Sequence, residues 1–223
     1  MKYLITISLC LLAIFSNISV AQAQISRPDS TFSPKIIAKY SVLSLLEFET
    51  TAQLGVEYLF KPKMGFQQQF GYIFNSPTQY NQWGLRSRSE MRFYYSDGAV
   101  IRPYIAPEVL YKFVRQYGTR TFLREEGAYQ QTIDFRADRN VIGFMPKIGF
   151  TNDVLKSKFA IDLAIGIGVK AVYYNSNVPK DAFSTQSFIT DAFFNSRLRN
   201  SGSEVMPNFY FGFLLGFGMD VKN

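Results

Sequence analysis

Between Asn208 and Val221 the chain reads NFYFGFLLGFGMDV, and no other stretch restricts the possible folds as strongly. Its odd positions, Phe209, Phe211, Phe213, Leu215, Phe217, Met219 and Val221, are all apolar. Its even positions, Asn208, Tyr210, Gly212, Leu214, Gly216, Gly218 and Asp220, are mostly small or polar. Successive side chains of a strand point to opposite faces, so this period of two describes a strand with one oily side. A chain that ends on such a strand suggests a closed barrel in lipid.

The first residues carry a different signal. Lys2 precedes the apolar run Leu4 to Phe15, a short polar stretch and then Ala21-Gln22-Ala23-Gln24. This is the layout of a secretory signal peptide, with cleavage expected after Ala23. The run is too short for a membrane-spanning helix, which needs about 20 residues. Residues 1–23 are therefore read as signal peptide, 24–34 as a polar lead and 35–221 as the barrel domain. Cleavage removes Cys10, the single cysteine, so no disulfide or thiol chemistry remains. Histidine is absent from the whole chain, which removes the commonest general base and metal ligand. No metal or cofactor is expected, and no basic run or RNA-binding aromatic motif supports nucleic-acid binding.

Twenty-two Phe and 14 Tyr are a heavy aromatic load for a chain with 18% charged residues. Most fall at alternating positions, which is how transmembrane barrels hide apolarity from a hydropathy average. Seven further segments alternate as the last one does: 35–43, 52–60, 64–74, 85–95, 101–113, 140–151 and 159–173. Gln68 interrupts the oily face of the third. Pro103 and Pro107 lie in the fifth, where a bulge or late pairing is expected. Short turns follow segments two, four and six, and longer connections follow one, three, five and seven. Residues 115–138 form one long polar connection whose ends are expected to prolong the flanking strands. Residues 175–203 form another, in which Phe188, Ile189, Ala192 and Phe193 at helical spacing suggest a short helix. The fold class is all-β: an eight-stranded antiparallel up-and-down transmembrane barrel with short periplasmic turns and longer external loops.

A soluble barrel with an apolar interior would show the same parity. Here the less oily face of the last two segments is mainly Gly and Ala with isolated charges, which suits a narrow lumen filled by side chains. The inward set gathers Lys39, Arg86, Arg88, Arg92, Lys112, Lys147 and Lys170 with Glu57, Glu90, Glu108, Asp162 and Asp220. Unpaired charges in a dry interior are costly, so these residues are expected to form an ionic network that plugs the barrel. A cationic excess in that lumen is the feature that would favour a narrow channel for ions or small solutes. The same assignment of faces makes Phe213→Arg a costlier substitution than Gly212→Ser.

This layout resembles the small outer-membrane barrels of the OmpA, OmpX and OmpW type over essentially the whole mature chain. The resemblance implies a final-strand signal for the barrel-assembly machinery, of the form polar-x-Gly-x-x-apolar-x-aromatic. Tyr210, Gly212, Leu215 and Phe217 match it, although the chain runs on to Lys222 and Asn223. It further implies an outer-membrane location, with membrane lipid and lipopolysaccharide as surroundings. Barrel enzymes of this size that modify lipid rely on a catalytic His with Ser, and His is missing here. The expected role is structural or surface interaction, with loops 115–138 and 175–203 as the surfaces for any external ligand.

Overall fold

The structure, a computed structural model, describes residues 34–47, 49–75, 81–96, 101–152, 158–179, 183–184 and 202–220. The expected signal peptide and cleavage site, and the helix expected near Phe188, lie outside these residues. Nine strands occur among them. They are β1 (Lys35–Ser41), β2 (Thr50–Lys61), β3 (Met64–Asn75), β4 (Asn81–Tyr94) and β5 (Ile101–Arg124), followed by β6 (Tyr129–Asn152), β7 (Phe159–Ser176), β8 (Phe183–Ser184) and β9 (Gly202–Asp220).

Each long strand pairs antiparallel with its neighbour in sequence, β7 passes over the two-residue β8 to pair with β9, and β9 pairs with β1. The result is a closed ring of eight staves, with Lys35 opposite Asp220 where the first and last strands meet. Closure leaves no free sheet edge, which is what a strand structure needs in lipid, where no water is present to satisfy backbone groups. The turns after β2, β4 and β6 lie at the end where β1 begins and β9 finishes. The connections after β1, β3, β5 and β7 lie at the other end.

Side-chain parity follows the alternation closely. Along β2, buried Thr51, Gln53, Gly55, Glu57 and Leu59 alternate with exposed Ala52, Leu54, Val56 and Tyr58. Leu54, Phe70, Phe209 and Phe211 are each about two-thirds exposed, and a belt of aliphatic and aromatic side chains continues around the ring. An apolar surface this continuous suits a hydrocarbon surrounding and not water. Inside, the buried residues include Lys39, Glu57, Arg88, Glu90, Arg92, Glu108, Lys147 and Asp162, so a soluble barrel with an oily interior is excluded. Gln68 on the outer face finds its own partners, with Nε2 donating to the Ser87 hydroxyl at 2.9 Å and Oε1 accepting from Ser89 at 2.5 Å.

Four boundaries differ from the sequence reading. The first strand ends at Ser41, and a 3-10 turn, Leu43–Leu45, follows. The Ser44 hydroxyl holds that turn down, 2.7 Å from the Ser41 carbonyl and 2.8 Å from that of Thr51. β4 and β9 begin earlier than their oily alternation does, at Asn81 and Gly202. Residues 115–138 are no loose connection: β5 and β6 pair without a break from Ile101↔Asn152 to Arg124↔Tyr129. The hairpin outruns β4, which stops opposite Tyr117, by seven residues, or about 23 Å at strand rise. Its tip uses Gly127 at φ 98 and Glu125 at φ 48, both left-handed. Phe122, Phe135 and Val178 form a small buried cluster on it, and β8 pairs with Phe122 and Leu123.

The prolines of β5 produce no bulge. The β5–β6 register runs through Pro103↔Phe150 and Pro107↔Pro146, and on the other side Glu90↔Glu108 and Phe93↔Ile105 keep a single register. Only the pairs facing Pro107 and Ala106 drop out of the β4–β5 ladder. A proline has no N–H to give, and an interrupted ladder accommodates that without an extra residue.

The projecting hairpin carries a pH-dependent clasp. Arg115 donates to Asp138 through Nε at 2.7 Å and Nη2 at 2.9 Å, and Arg136 adds a second guanidinium. The hydrogen bonds from Arg115 chiefly hold the Asp138 carboxyl below its ordinary value. Partial burial works against them, and Arg136 works with them. A depressed carboxylate stabilises the fold above its unfolded pKa and loses that contribution as pH falls through the folded value. Arg115 also lies 5.5 Å from the ring of Trp83, the single tryptophan. Trp83 emission should therefore stay constant from pH 7 to about 4 and change only below that, as Asp138 takes up a proton. A transition between pH 5 and 7 would contradict this assignment.

Candidate functional site: the charged lumen

Every second residue of a stave points inward, so each strand contributes its charges to the lumen at a spacing of two. Eight of the twelve inward charges named from the sequence meet in one network towards the end where the chain enters and leaves the barrel. Lys39 of β1 bridges Glu57 at 2.5 Å and Asp162 at 2.6 Å, across to β2 and β7. Arg92 of β4 reaches Asp162 at 2.5 Å and Glu57 at 3.2 Å, and pairs with Glu90 on its own strand. Lys147 of β6 lies 2.8 Å from Glu90 and also pairs with Glu108, which accepts from Arg88 at 3.0 Å.

Four cations face four anions, and none of these side chains is more than 8% exposed. Phenol groups fill the remaining acceptor positions: Tyr104 donates to Asp162 at 2.6 Å, and Tyr94 donates to Glu57. The cations also lie against rings, Arg92 4.4 Å from the centroid of Tyr104 and Lys147 3.9 Å from that of Tyr210. Burying charge is costly unless each partner is matched, and this arrangement matches all eight. Below them Arg102, fully buried, closes the turn end by donating to the backbone carbonyls of Pro62 and Ser96, with Tyr94 beneath its guanidinium at 4.2 Å.

The other four named charges lie apart from that network. Arg86 and Lys112 sit nearer the opposite mouth, where their partners are two carboxylates of the β1–β2 connection. Glu47 lies 2.6 Å from Arg86, and Glu49 lies 2.6 Å from Lys112 and also pairs with Arg139. Lys170 has no carboxylate within 4.0 Å among the described residues. The side chain of Asp220 is outside the described residues.

Sequence reasoning thus missed Glu47, Glu49 and Arg139, together with the phenols Tyr94 and Tyr104. The available signal was the shared parity of Glu47 and Glu49, whose spacing of two sends both carboxylates the same way off an extended chain.

Of the four residues matched to the assembly signal, Leu215 and Phe217 lie on the outer face and are 44% and 43% exposed, with Phe217 edge-on to Phe159 at 5.8 Å. Tyr210 turns inward between Arg88 and Lys147. Its ring covers Gly212 so closely that a Cβ there would overlap the phenol oxygen. Gly149 is roofed in the same way by Tyr104, whose ring a Cβ would also overlap. The inward placement expected for Gly212 holds, and the Tyr210 ring above it adds a packing cost to Gly212→Ser that parity alone does not show.

No family model and no curated protein matches the chain. Among solved structures, the chain is similar to the N-terminal β-barrel domain of Pseudomonas aeruginosa OprF, at 12% identity. The match covers 84% of this chain and 97% of that one, with a TM-score of 0.38. It is also similar to a major outer membrane protein from Thermus thermophilus, at 10% identity, 84% and 98% coverage and a TM-score of 0.43. At such scores neither likeness bears on the chemistry of the lumen.

Proposed function

We propose that this chain is a non-enzymatic barrel of the bacterial outer membrane, exported by a signal peptide cleaved after Ala23, with a structural or surface-interaction role and a plugged lumen. The observation that carries the reading is the neutral, fully buried network of Lys39, Arg88, Arg92 and Lys147 with Glu57, Glu90, Glu108 and Asp162. An ion would have to separate partners buried in a medium of low dielectric, where each lost pairing costs several kcal/mol. The apolar belt supports membrane lipid as the surrounding partner. The strand form around Tyr210, Gly212, Leu215 and Phe217 supports delivery by the barrel-assembly machinery.

The non-enzymatic part rests on the absence of histidine from the sequence and on the ion pairing of Glu57, Glu90, Glu108 and Asp162, which occupies the carboxylates that could act as general bases in the lumen. The hairpin of residues 115–138 outruns β4 beyond Tyr117 and, with loop 175–203, is the surface we assign to an external ligand. Purified protein in a planar bilayer should be electrically silent at physiological salt. Discrete, reproducible openings would replace this reading with the narrow channel, which the cationic mouth around Lys170 favours.

A further inference from the structure

The two ends of the lumen differ in charge balance. In the buried network four cations meet four carboxylates, whereas nearer the long-loop mouth Arg86, Lys112 and Arg139 share Glu47 and Glu49, and Lys170 is in no ion pair among the described residues. The charges acting on Lys170 are the cations Lys112, Arg139 and Arg86. Two guanidinium groups there also keep unused donors: the Nε of Arg86 and the Nε of Arg139 are buried and have no hydrogen-bond partner. The Arg86 side chain is 4% exposed, so bulk solvent does not reach it. Buried donors of this kind are ordinarily paired, and a cluster that leaves them open calls for an acceptor from outside.

We propose that this mouth is a binding site for a phosphate-type dianion, seated among Lys170, Arg139 and Arg86, with Glu47 and Glu49 of the β1–β2 connection as its tethered competitors. The four cations Arg86, Lys112, Arg139 and Lys170 outnumber the two carboxylates that pair with them, which favours an anion there. Guanidinium forks suit the several oxygens of a phosphate better than the pair on a carboxylate. Burial pushes the Glu47 carboxyl up, but Arg86, Arg88 and Lys112 pull it further down, so it is ionised at neutral pH and competes as an anion. Glu47 is also 35% exposed, so the end of the connection can leave the site towards solvent. The inference rests on the geometry of the mouth, and silence or conductance in a bilayer leaves it untouched.

The test is calorimetric titration of the full chain, refolded in zwitterionic detergent, with inorganic phosphate. It is repeated with a short-chain phosphatidic acid and with acetate, and strand content is verified by circular dichroism. Wild type should bind phosphate. Lys170→Met, which breaks no ion pair, should weaken binding about fivefold or more, and Glu47→Gln with Glu49→Gln should tighten it about tenfold. Binding of inorganic phosphate supports a free-phosphate source, and binding of the lipid alone supports a headgroup source. The proposal is overturned if neither is bound by wild type or the double variant, if Lys170→Met binds as wild type does, or if acetate binds equally well.

Discussion

Replacing Asp162 with Ala should destabilise the barrel by about 3–5 kcal/mol, because it removes a carboxylate shared by two buried cations and leaves one charge of the network uncompensated. Asp162 accepts from Lys39 at 2.6 Å, Arg92 at 2.5 Å and Tyr104 at 2.6 Å, and it is fully buried. Lys39 and Arg92 would keep Glu57 and Glu90 as their remaining partners. The network would carry one net positive charge. Adding Lys39→Met to the same chain restores neutrality, with Arg88, Arg92 and Lys147 against Glu57, Glu90 and Glu108. The double variant should therefore recover a coupling energy in the upper part of the 0.5–3 kcal/mol range that contacting residues show, an approximate figure. Urea unfolding from lipid vesicles, followed by Trp83 fluorescence, measures both. A loss of under about 1 kcal/mol for Asp162→Ala would describe a solvated surface pair and would contradict a sealed lumen.

The second large effect lies on the outside of the same barrel. Phe213→Arg should cost roughly 2–4 kcal/mol if the residue lies near the middle of the hydrocarbon, while Val205→Arg, on the same face of β9 towards its loop end, should cost about 0–1 kcal/mol. Val205 is 76% exposed and pairs with Ala171, and Phe213 pairs with Leu163 eight residues further along β9. Both residues are on the outer face, but Phe213 is half-buried, so Phe213→Ala is the control that separates its packing from the effect of depth. Gly212→Ser is no neutral control here. The Tyr210 ring would have to leave the position between Arg88 and Lys147, and the cost should approach that of overpacking a core, about 1–3 kcal/mol. Equal losses at Phe213 and Val205 would mean that the outer face does not cross a bilayer.

The staves within the membrane were legible in the sequence because lipid on one side and a narrow charged lumen on the other impose opposite chemistry on alternate residues. β7 shows this best, with Ile161, Leu163, Ile165 and Ile167 outward against Asp162, Ala164 and Gly166. Beyond the membrane the signal disappears while the strand persists. From Arg115 to Arg124, and from Tyr129 to Asp138, burial is confined to a few positions such as Phe122 and Phe135, so apolar residues no longer mark one parity and only the ends of the stretch read as strand. β9 was recognised from Asn208 but begins at Gly202 for the same reason.

The inward charges were legible one by one, but their division into two groups was not. Parity says that Arg86 and Arg88 share a face. It does not say that Arg88 points towards Glu108 while Arg86 meets a carboxylate from the far side of the ring. That pairing depends on a 3-10 turn fixed by Ser44, a long-range contact with no periodic trace. Gly212 and Tyr210 were both assigned to the inward face, but parity does not show that the Tyr210 ring folds over Gly212 on its own strand.

The central claim is that the odd positions of β9 face lipid and the even positions face a sealed, charged interior. Spin labels at single cysteines from position 208 to 219, in a chain with Cys10 removed and reconstituted in lipid vesicles, test it most directly. The account predicts oxygen accessibility that rises at 209, 211, 213, 215, 217 and 219 and falls at 208, 210, 212, 214, 216 and 218, with a water-soluble relaxant excluded from both sets near the centre. Uniform accessibility, or maxima at the even positions, would contradict it.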